Sequence, residues 1–320
     1  MSKATSIAHP MQGLIKYHGL RDEKLRLPYH DSISVATAPL STRTTVEFGD
    51  FGQDSAVIDG KEAEGRSLER ILSVVDQVRR AAGTSEKFRM ESVNSFPSGV
   101  GLGASSSGFA ALATAASAAA GLRLEKHQLS ALSRLGAGSA TRAVTGGFSR
   151  WRMGTRHEDS YAYPLAGEEL KMDMIVALIE NTKQTEDAHR EVVKSPLFAG
   201  RLSYLHNALA QMDEAIRAGD IARIGSLAEA DTLMLHAVTM SGPSGMIFWK
   251  PETLSAISEV RAMRKQGTEC YFSVDTGATA YVNCAPGTAG EVDKRIRALG
   301  IKTIKCTVGG PSRLTEEHLF

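Results

Sequence analysis

The chain has 320 residues, 42% of them hydrophobic and 23% charged, with a formal net charge of +1. That balance describes a folded globular protein of one large or two ordinary domains, and it excludes the basic surface that nucleic acid or an anionic membrane would require. The three cysteines, Cys270, Cys284 and Cys306, are scattered without metal-site spacing, as reduced packing residues are.

In chain order, "ISVATAPLSTRTTVEF" reads as strand material interrupted at Pro39. "SLERILSVVDQVRRAAG" places Leu68, Ile71, Val74, Val75 and Val78 at helical spacing and ends on Gly83. "KFRMESV" alternates like a half-buried strand. The run from Gly108 to Ala120 is a strong helix former. "KHQLSALSRLG" is another helix, and "GGFSRWRMG" reads as a strand. A composition break at 157–170 places a domain boundary near 168, giving an ATP-binding region 1–168 and a second domain 169–320. Beyond it come a strand in "MDMIVALIE", helical pattern from Asp187 to His236, a helix at 251–266, strands in "CYFSVD" and "TAYVNCA", a helix at 289–299 and a strand in "KTIKCTV". No run is apolar and long enough to span a bilayer. The opening "MSKATSIAHPMQG" lacks an apolar core, so the expectation is a soluble cytoplasmic protein.

The segment between "KFRMESV" and the alanine-rich helix, "NSFPSGVGLGASSSG", has the chemistry of an anion cradle. Backbone N–H groups at a helix start attract phosphate. Gly101 and Gly103 permit close approach, and Ser105, Ser106 and Ser107 add hydroxyls. A Walker A loop would end in Gly-Lys-Ser/Thr, and there is no lysine here. Gly99-x-Gly101-x-x-Ala104 matches a dinucleotide fingerprint formally, but "LRLEKHQLSALSRLG" turns back into helix where a strand ending in an acid is needed. That weakens the dinucleotide reading, and a plain flexible loop and a triphosphate loop of another family stand beside it.

Pro97-x-x-x-Gly101-Leu102-Gly103-Ala104-Ser105-Ser106-Ser107 resembles the phosphate loop of the galactokinase, homoserine kinase, mevalonate kinase and phosphomevalonate kinase superfamily, with Asn94 at its entry. Three further segments resemble the mevalonate diphosphate decarboxylases within it. "IKYHGLRDEKLRLPYHDSISV" is similar to their Lys-Tyr-Trp-Gly-x-Arg-Asp segment, with Lys16 and Tyr17 in place and His18 where tryptophan is usual. "LGAGSATRAVTGGFSRW" is similar to their substrate-binding Gly-Ser-Ala-Cys-Arg run, with Ser139 and Arg142 matching and Thr141 in place of cysteine. "YFSVDTGATAYVN" places Asp275 on the aspartate of their Asp-Ala-Gly-Pro-Asn segment, while Thr276, Ala278 and Thr279 depart from it. Arg66 and the pair His236-Ala237 add weaker matches. Four segments in one order, from about residue 6 to 283, make the resemblance specific.

The resemblance implies a two-domain α+β fold with the active site in the cleft between domains. It also implies ATP on the glycine loop and Mg2+ bridging the phosphates, with metal ligands unassigned and Ser106 a candidate. The implied reaction phosphorylates the 3-hydroxyl of a mevalonate derivative and then decarboxylates it. Asp275 would be the base or orienting acceptor and Lys16 its cationic neighbour. Ser139, Arg142, Arg66 and Tyr17 would grip the phosphate and carboxylate of the substrate. A 3-kinase without decarboxylation and a metabolite sensor on the same fold are the alternatives. In "ENTKQTEDAHREVVKSPLF", Lys183, Thr185, Ser195 and Pro196 fit the frame of the diphosphate-binding element, but Gln184 and Asp187-Ala188 depart from it, and His189 and Arg190 could reach a single phosphate. Met11 takes the place of an asparagine. His9-Pro10, Gln12-Gly13 and Tyr17-His18 resemble the phosphomevalonate decarboxylases of archaeal-type pathways. The expected substrate is therefore mevalonate 5-phosphate, with the 5-diphosphate as alternative. A homodimer is possible on family grounds.

Overall fold

The computed structural model describes residues 3–180 and 185–320. Lys183 and Gln184, together with the side chains of Thr185 and Asp187, lie outside the described residues.

The chain opens with eight strands: β1 (Lys3–Ala8), β2 (Met11–Ile15), β3 (Leu20–Asp22), β4 (Leu27–Pro28), β5 (Ser32–Ala38), β6 (Thr42–Gly49), β7 (Ser55–Ile58) and β8 (Lys61–Glu62). The apolar run around Pro39 is thus two strands, because proline supplies no ladder donor. Next come α1 (Gly65–Ala82), β9 (Lys87–Asn94), α2 (Ala104–Ala119), α3 (Lys126–Gly136), α4 (Ala140–Thr145), β10 (Phe148–Trp151) and β11 (Ala162–Ala166). The remainder is β12 (Asp173–Leu178), α5 (Thr185–Val192), α6 (Phe198–Ala218), α7 (Ile221–Met240), α8 (Pro251–Lys265), β13 (Cys270–Val274), β14 (Ala280–Cys284), α9 (Ala289–Ala298), β15 (Lys302–Val308) and β16 (Arg313–Thr315).

These strands build two large sheets. The first runs β16-β1-β6-β9-β7-β8, with β7 and β9 parallel and its other pairs antiparallel. Helix α2 packs across β1 and β6. It is buried along most of its length, with Ala110, Ala111, Ala113, Ala115, Ala116 and Ala119 in the core. Alanine at these positions lets α3 and α4 approach closely. At one such approach, a Cβ on Gly136 of α3 would come 2.0 Å from the Phe109 ring. The amphipathic stripe of α1, Ile71, Val74, Val75 and Val78, closes the same core.

The second sheet runs β11-β10-β5-β15-β12-β14-β13, with β2 also paired to β5. It joins strands from both sides of residue 168. Strand β12 shows why it is buried on both faces: Met174 and Val176 pack with α6 and α7, whereas Ile175 and Ala177 belong to the core under α8 and α9. Period-two alternation of apolar residues on both faces is what a central strand requires. The helical stretch read at 187–236 is three helices. It breaks after α5, where Ser195 and Pro196 precede α6, and again at Gly219-Asp220, where the Asp220 carboxylate caps α7 by accepting from the Arg223 N–H at 2.9 Å. No helix among the described residues is long and apolar enough to cross a membrane.

This architecture brings three features to one place. Strand β2 ends at Ile15, just before Lys16. Strand β13 ends at Val274, just before Asp275. The glycine loop lies between β9 and α2.

Candidate active site

A cavity of about 500 Å³ opens between the glycine loop, the start of α4 and the ends of β2 and β13. Lys16, Arg26, Arg66, Arg70, Arg142 and His189 line it, and Asp275 is the one carboxylate among its described lining residues. A chain of net charge +1 has therefore gathered five lysine and arginine side chains around one acid among the described lining residues, which is the field an anionic ligand needs.

At the loop, Gly99, Gly101 and Gly103 have φ of 84°, 83° and 76°, the left-handed region that side chains with a Cβ avoid. Gly103 is the N-cap of α2 and offers no capping side chain. The N–H groups of Ala104 and Ser105, at the positive end of a 16-residue helix, donate to no described group. Pro97, Gly101, Gly103, Ala104 and Ser105 all line the cavity. Ser106 and Ser107 do not: both are fully buried beneath the loop. The Ser106 hydroxyl donates to the Gly103 carbonyl at 2.6 Å, and Ser107 Oγ lies 2.6 Å from Thr42 Oγ1. Asn94 also stands behind the loop. Its amide nitrogen donates to Asp59 at 2.9 Å and to Ser98 at 3.2 Å, fixing the entry to the turn.

Lys16 and Asp275 meet across Gly13. The Gly13 N–H points at both Asp275 carboxylate oxygens, at 3.2 and 3.3 Å. A Cβ on Gly13 would lie 2.7 Å from Lys16 Cγ and 3.1 Å from Asp275 Oδ1. The Lys16 ammonium is 4% exposed and donates to Thr232 and Ser273 hydroxyls, each at 3.0 Å. Burial lowers its pKa, and the charges of Asp231 and Asp275 oppose that shift. Asp231 Oδ2 accepts the Lys16 backbone N–H at 2.9 Å and lies 4.0 Å from the ammonium. Arg201 completes the support, donating to the Lys16 carbonyl at 2.8 Å and lying 3.1 Å from Asp231 Oδ1. His236 sits under the Asp275 strand end with its Nε2 3.4 Å from the Val274 carbonyl, and burial holds it neutral, pushed down to about 3.

An aromatic and cationic stack forms another wall. Tyr17 meets Trp151 edge-on at 4.9 Å and stacks on His189, also at 4.9 Å. The Arg142 guanidinium lies 5.4 Å from the Tyr17 ring centroid and 5.6 Å from that of Trp151. Its Nη1 donates to Ser32 at 2.8 Å, and burial lowers its pKa to about 10. Ser139, the N-cap of α4, lines the cavity beside it. His189 accepts the Gly19 N–H on Nδ1 at 3.1 Å, so a neutral ring carries its proton on Nε2. Arg190 is exposed, lies 3.3 Å from Glu23 and does not line the cavity.

Arg26, Arg70, Asp231 and Arg201 were not legible as site residues from the sequence. Arg70 stands on the polar side of an amphipathic helix, and Arg26 in a charged turn. In the sequence, Gly13 stands out only within the Gln12-Gly13 pair, with no role of its own.

A family model described as the diphosphomevalonate decarboxylase-like N-terminal domain matches residues 8–162. A phosphomevalonate decarboxylase of Haloferax volcanii is 43% identical over 98% of each chain. A crystal structure of mevalonate diphosphate decarboxylase from Staphylococcus aureus superposes with a TM-score of 0.93 at 29% identity, over 98% of each chain. A structure of MDDEF in complex with MVAPP, AMPPCP and magnesium superposes with a TM-score of 0.92 at 30% identity, over 99% of each chain.

Proposed function

The chain belongs to the family of phosphomevalonate and diphosphomevalonate decarboxylases, and from that premise we propose that it converts mevalonate 5-phosphate, with ATP, to isopentenyl phosphate, CO2, ADP and phosphate. The observation that carries the substrate choice is the full-length similarity to the phosphomevalonate decarboxylase of H. volcanii. The chemistry rests on the meeting of Lys16 and Asp275 across Gly13.

ATP with Mg2+ supplies a phosphoryl group that turns the tertiary 3-hydroxyl into a leaving group. The residues present suit that pair. The glycine loop supplies N–H groups, those of Ala104 and Ser105, that donate to no described group. No group of three or more His, Cys, Asp or Glu among the described residues is placed to hold a metal. Mg2+ characteristically takes one or two carboxylates and otherwise phosphate oxygens and water, and Asp275 is the carboxylate at hand.

Asp275, held by the Gly13 N–H, orients the 3-hydroxyl and takes its proton. Departure of the 3-phosphate removes the C3–O electron pair. The C1–C2 pair then becomes the C2=C3 double bond, and CO2 leaves. Lys16 balances negative charge next to the leaving phosphate from a buried position, where such charges act strongly. Ser139 and Arg142 face the carboxylate end, since a planar guanidinium matches a carboxylate. Tyr17 and His189 close the wall against water.

The test is a comparison of kcat/KM for mevalonate 5-phosphate and the 5-diphosphate. The monophosphate should be preferred by at least tenfold; faster turnover of the diphosphate overturns the substrate choice.

A further inference from the structure

Two of the five cleft cations have no part in the chemistry described above. Arg26 lies in the turn between β3 and β4, and Arg70 lies on α1, 44 positions later. They converge on the end of α3. Arg26 Nε donates to the Leu135 carbonyl at 3.1 Å, and Arg70 Nε donates to the adjacent Gly136 carbonyl at 2.8 Å. Terminal carbonyls are the negative end of a helix and suit cations. With Nε tied in this way, each guanidinium is fixed in orientation along the cleft wall.

The backbone of Arg26 has φ of 50°, a left-handed region that a residue with a Cβ avoids and that clusters at functional sites. Arg70 is also clamped 4.8 Å over the Phe109 ring, and no carboxylate is among the described groups that act on its charge. The two charges, with Arg66 nearby, repel one another, and Arg70 is pushed down to about 10 by burial first and by Arg26 next. Three arginines lining one cavity wall suit an anion of more than one charge. A phosphate monoester carries about −1.5 to −2 at pH 7, whereas a carboxylate carries one charge and already faces Arg142 and Ser139.

We propose that Arg26 and Arg70, flanked by Arg66, form the subsite for the phosphate monoester of the substrate, in the cavity they share with Tyr17. This rests on the reading of the substrate as mevalonate 5-phosphate. Two planar forks anchored on consecutive carbonyls present donors to several oxygens of one phosphate, the arrangement in which arginine outperforms lysine.

The experiment measures calorimetric binding of mevalonate 5-phosphate, together with KM for that substrate and for ATP, in wild type, Arg26→Met, Arg70→Met and Arg70→Lys. Binding of the monophosphate should weaken 10- to 100-fold in each methionine variant, the range expected for losing a charged hydrogen-bond donor, about 1.5–3 kcal/mol. KM for ATP should stay within about twofold, and Arg70→Lys should recover part of the loss. Unphosphorylated mevalonate should bind wild type and the methionine variants equally. Arg70→Lys keeps the charge and serves if Arg70→Met fails to fold. Unchanged monophosphate binding in the variants, or a rise in KM for ATP instead, overturns the subsite while leaving the substrate assignment intact. Wild type that binds no mevalonate 5-phosphate overturns both.

Discussion

Gly13→Ala is the sharpest perturbation the geometry offers. The backbone of Gly13 is not left-handed, so alanine adds only a methyl group. That methyl lands 2.7 Å from Lys16 Cγ and 3.1 Å from Asp275 Oδ1. Carbon atoms rest at about 3.5–4.0 Å, so Lys16 or the methyl must yield by roughly 1 Å. Lys16 cannot move freely, because its ammonium is tied to Thr232 and Ser273 and its backbone to Asp231 and Arg201. Asp275 is held by the Gly13 N–H itself. Strain from overpacking costs about 1–3 kcal/mol, within a domain stability of about 5–15 kcal/mol, so the variant folds. A displacement of about 1 Å in a catalytic group costs on the order of 100-fold in rate. The assay is steady-state ADP and CO2 release at saturating ATP, with a thermal melt to confirm folding. The expected result is kcat down about 100-fold and KM for ATP unchanged. A folded variant with kcat within threefold of wild type refutes the reasoning that Lys16 and Asp275 act as a pair across this glycine.

Asp275→Asn keeps the acceptor for the Gly13 N–H but removes the proton-accepting charge; kcat should fall by about 10²- to 10⁴-fold, measured as CO2 release, with ATP binding by fluorescence titration little altered. Asp231→Asn should change the pH profile. Burial depresses the Lys16 ammonium, and the Asp231 charge is the largest influence holding it up. Neutralising Asp231 therefore lowers the Lys16 pKa further, so the protonated fraction falls at a lower pH. The alkaline limb of kcat/KM should move toward neutral pH, and an unmoved limb contradicts the support role of Asp231. The same variant leaves Arg201 buried beside a neutral partner, so its melting temperature should fall as well.

The sequence made the glycine loop, Lys16, Arg142 and Asp275 readable because each sits in a short contiguous pattern. The loop has no lysine and opens a helix of small residues, and both properties are local. Tertiary placement was not readable. Arg70 looks like a solvent-facing position until the end of α3 reaches it, and Arg26 occupies a turn whose left-handed conformation no composition announces. Asp231 and Arg201 read as ordinary charges on long helices, yet both are fully buried, because the helices face each other beneath Lys16. The serines of the loop show the opposite case: Ser105 reaches the cavity, while Ser106 and Ser107 turn inward as α2 begins, following the helical rotation that a list of hydroxyls conceals. Helix α4, six residues long, is too short for periodicity to reveal, although it carries Arg142.

The most direct measurement is the product balance of the wild-type protein supplied with ATP, Mg2+ and mevalonate 5-phosphate, following ADP and CO2 together in one reaction. ATP-dependent decarboxylation predicts equal amounts of the two at every time point. ADP formed without CO2 would mark a kinase that stops at the 3-phosphate, and neither product would mark a binding protein; either outcome contradicts the proposed function.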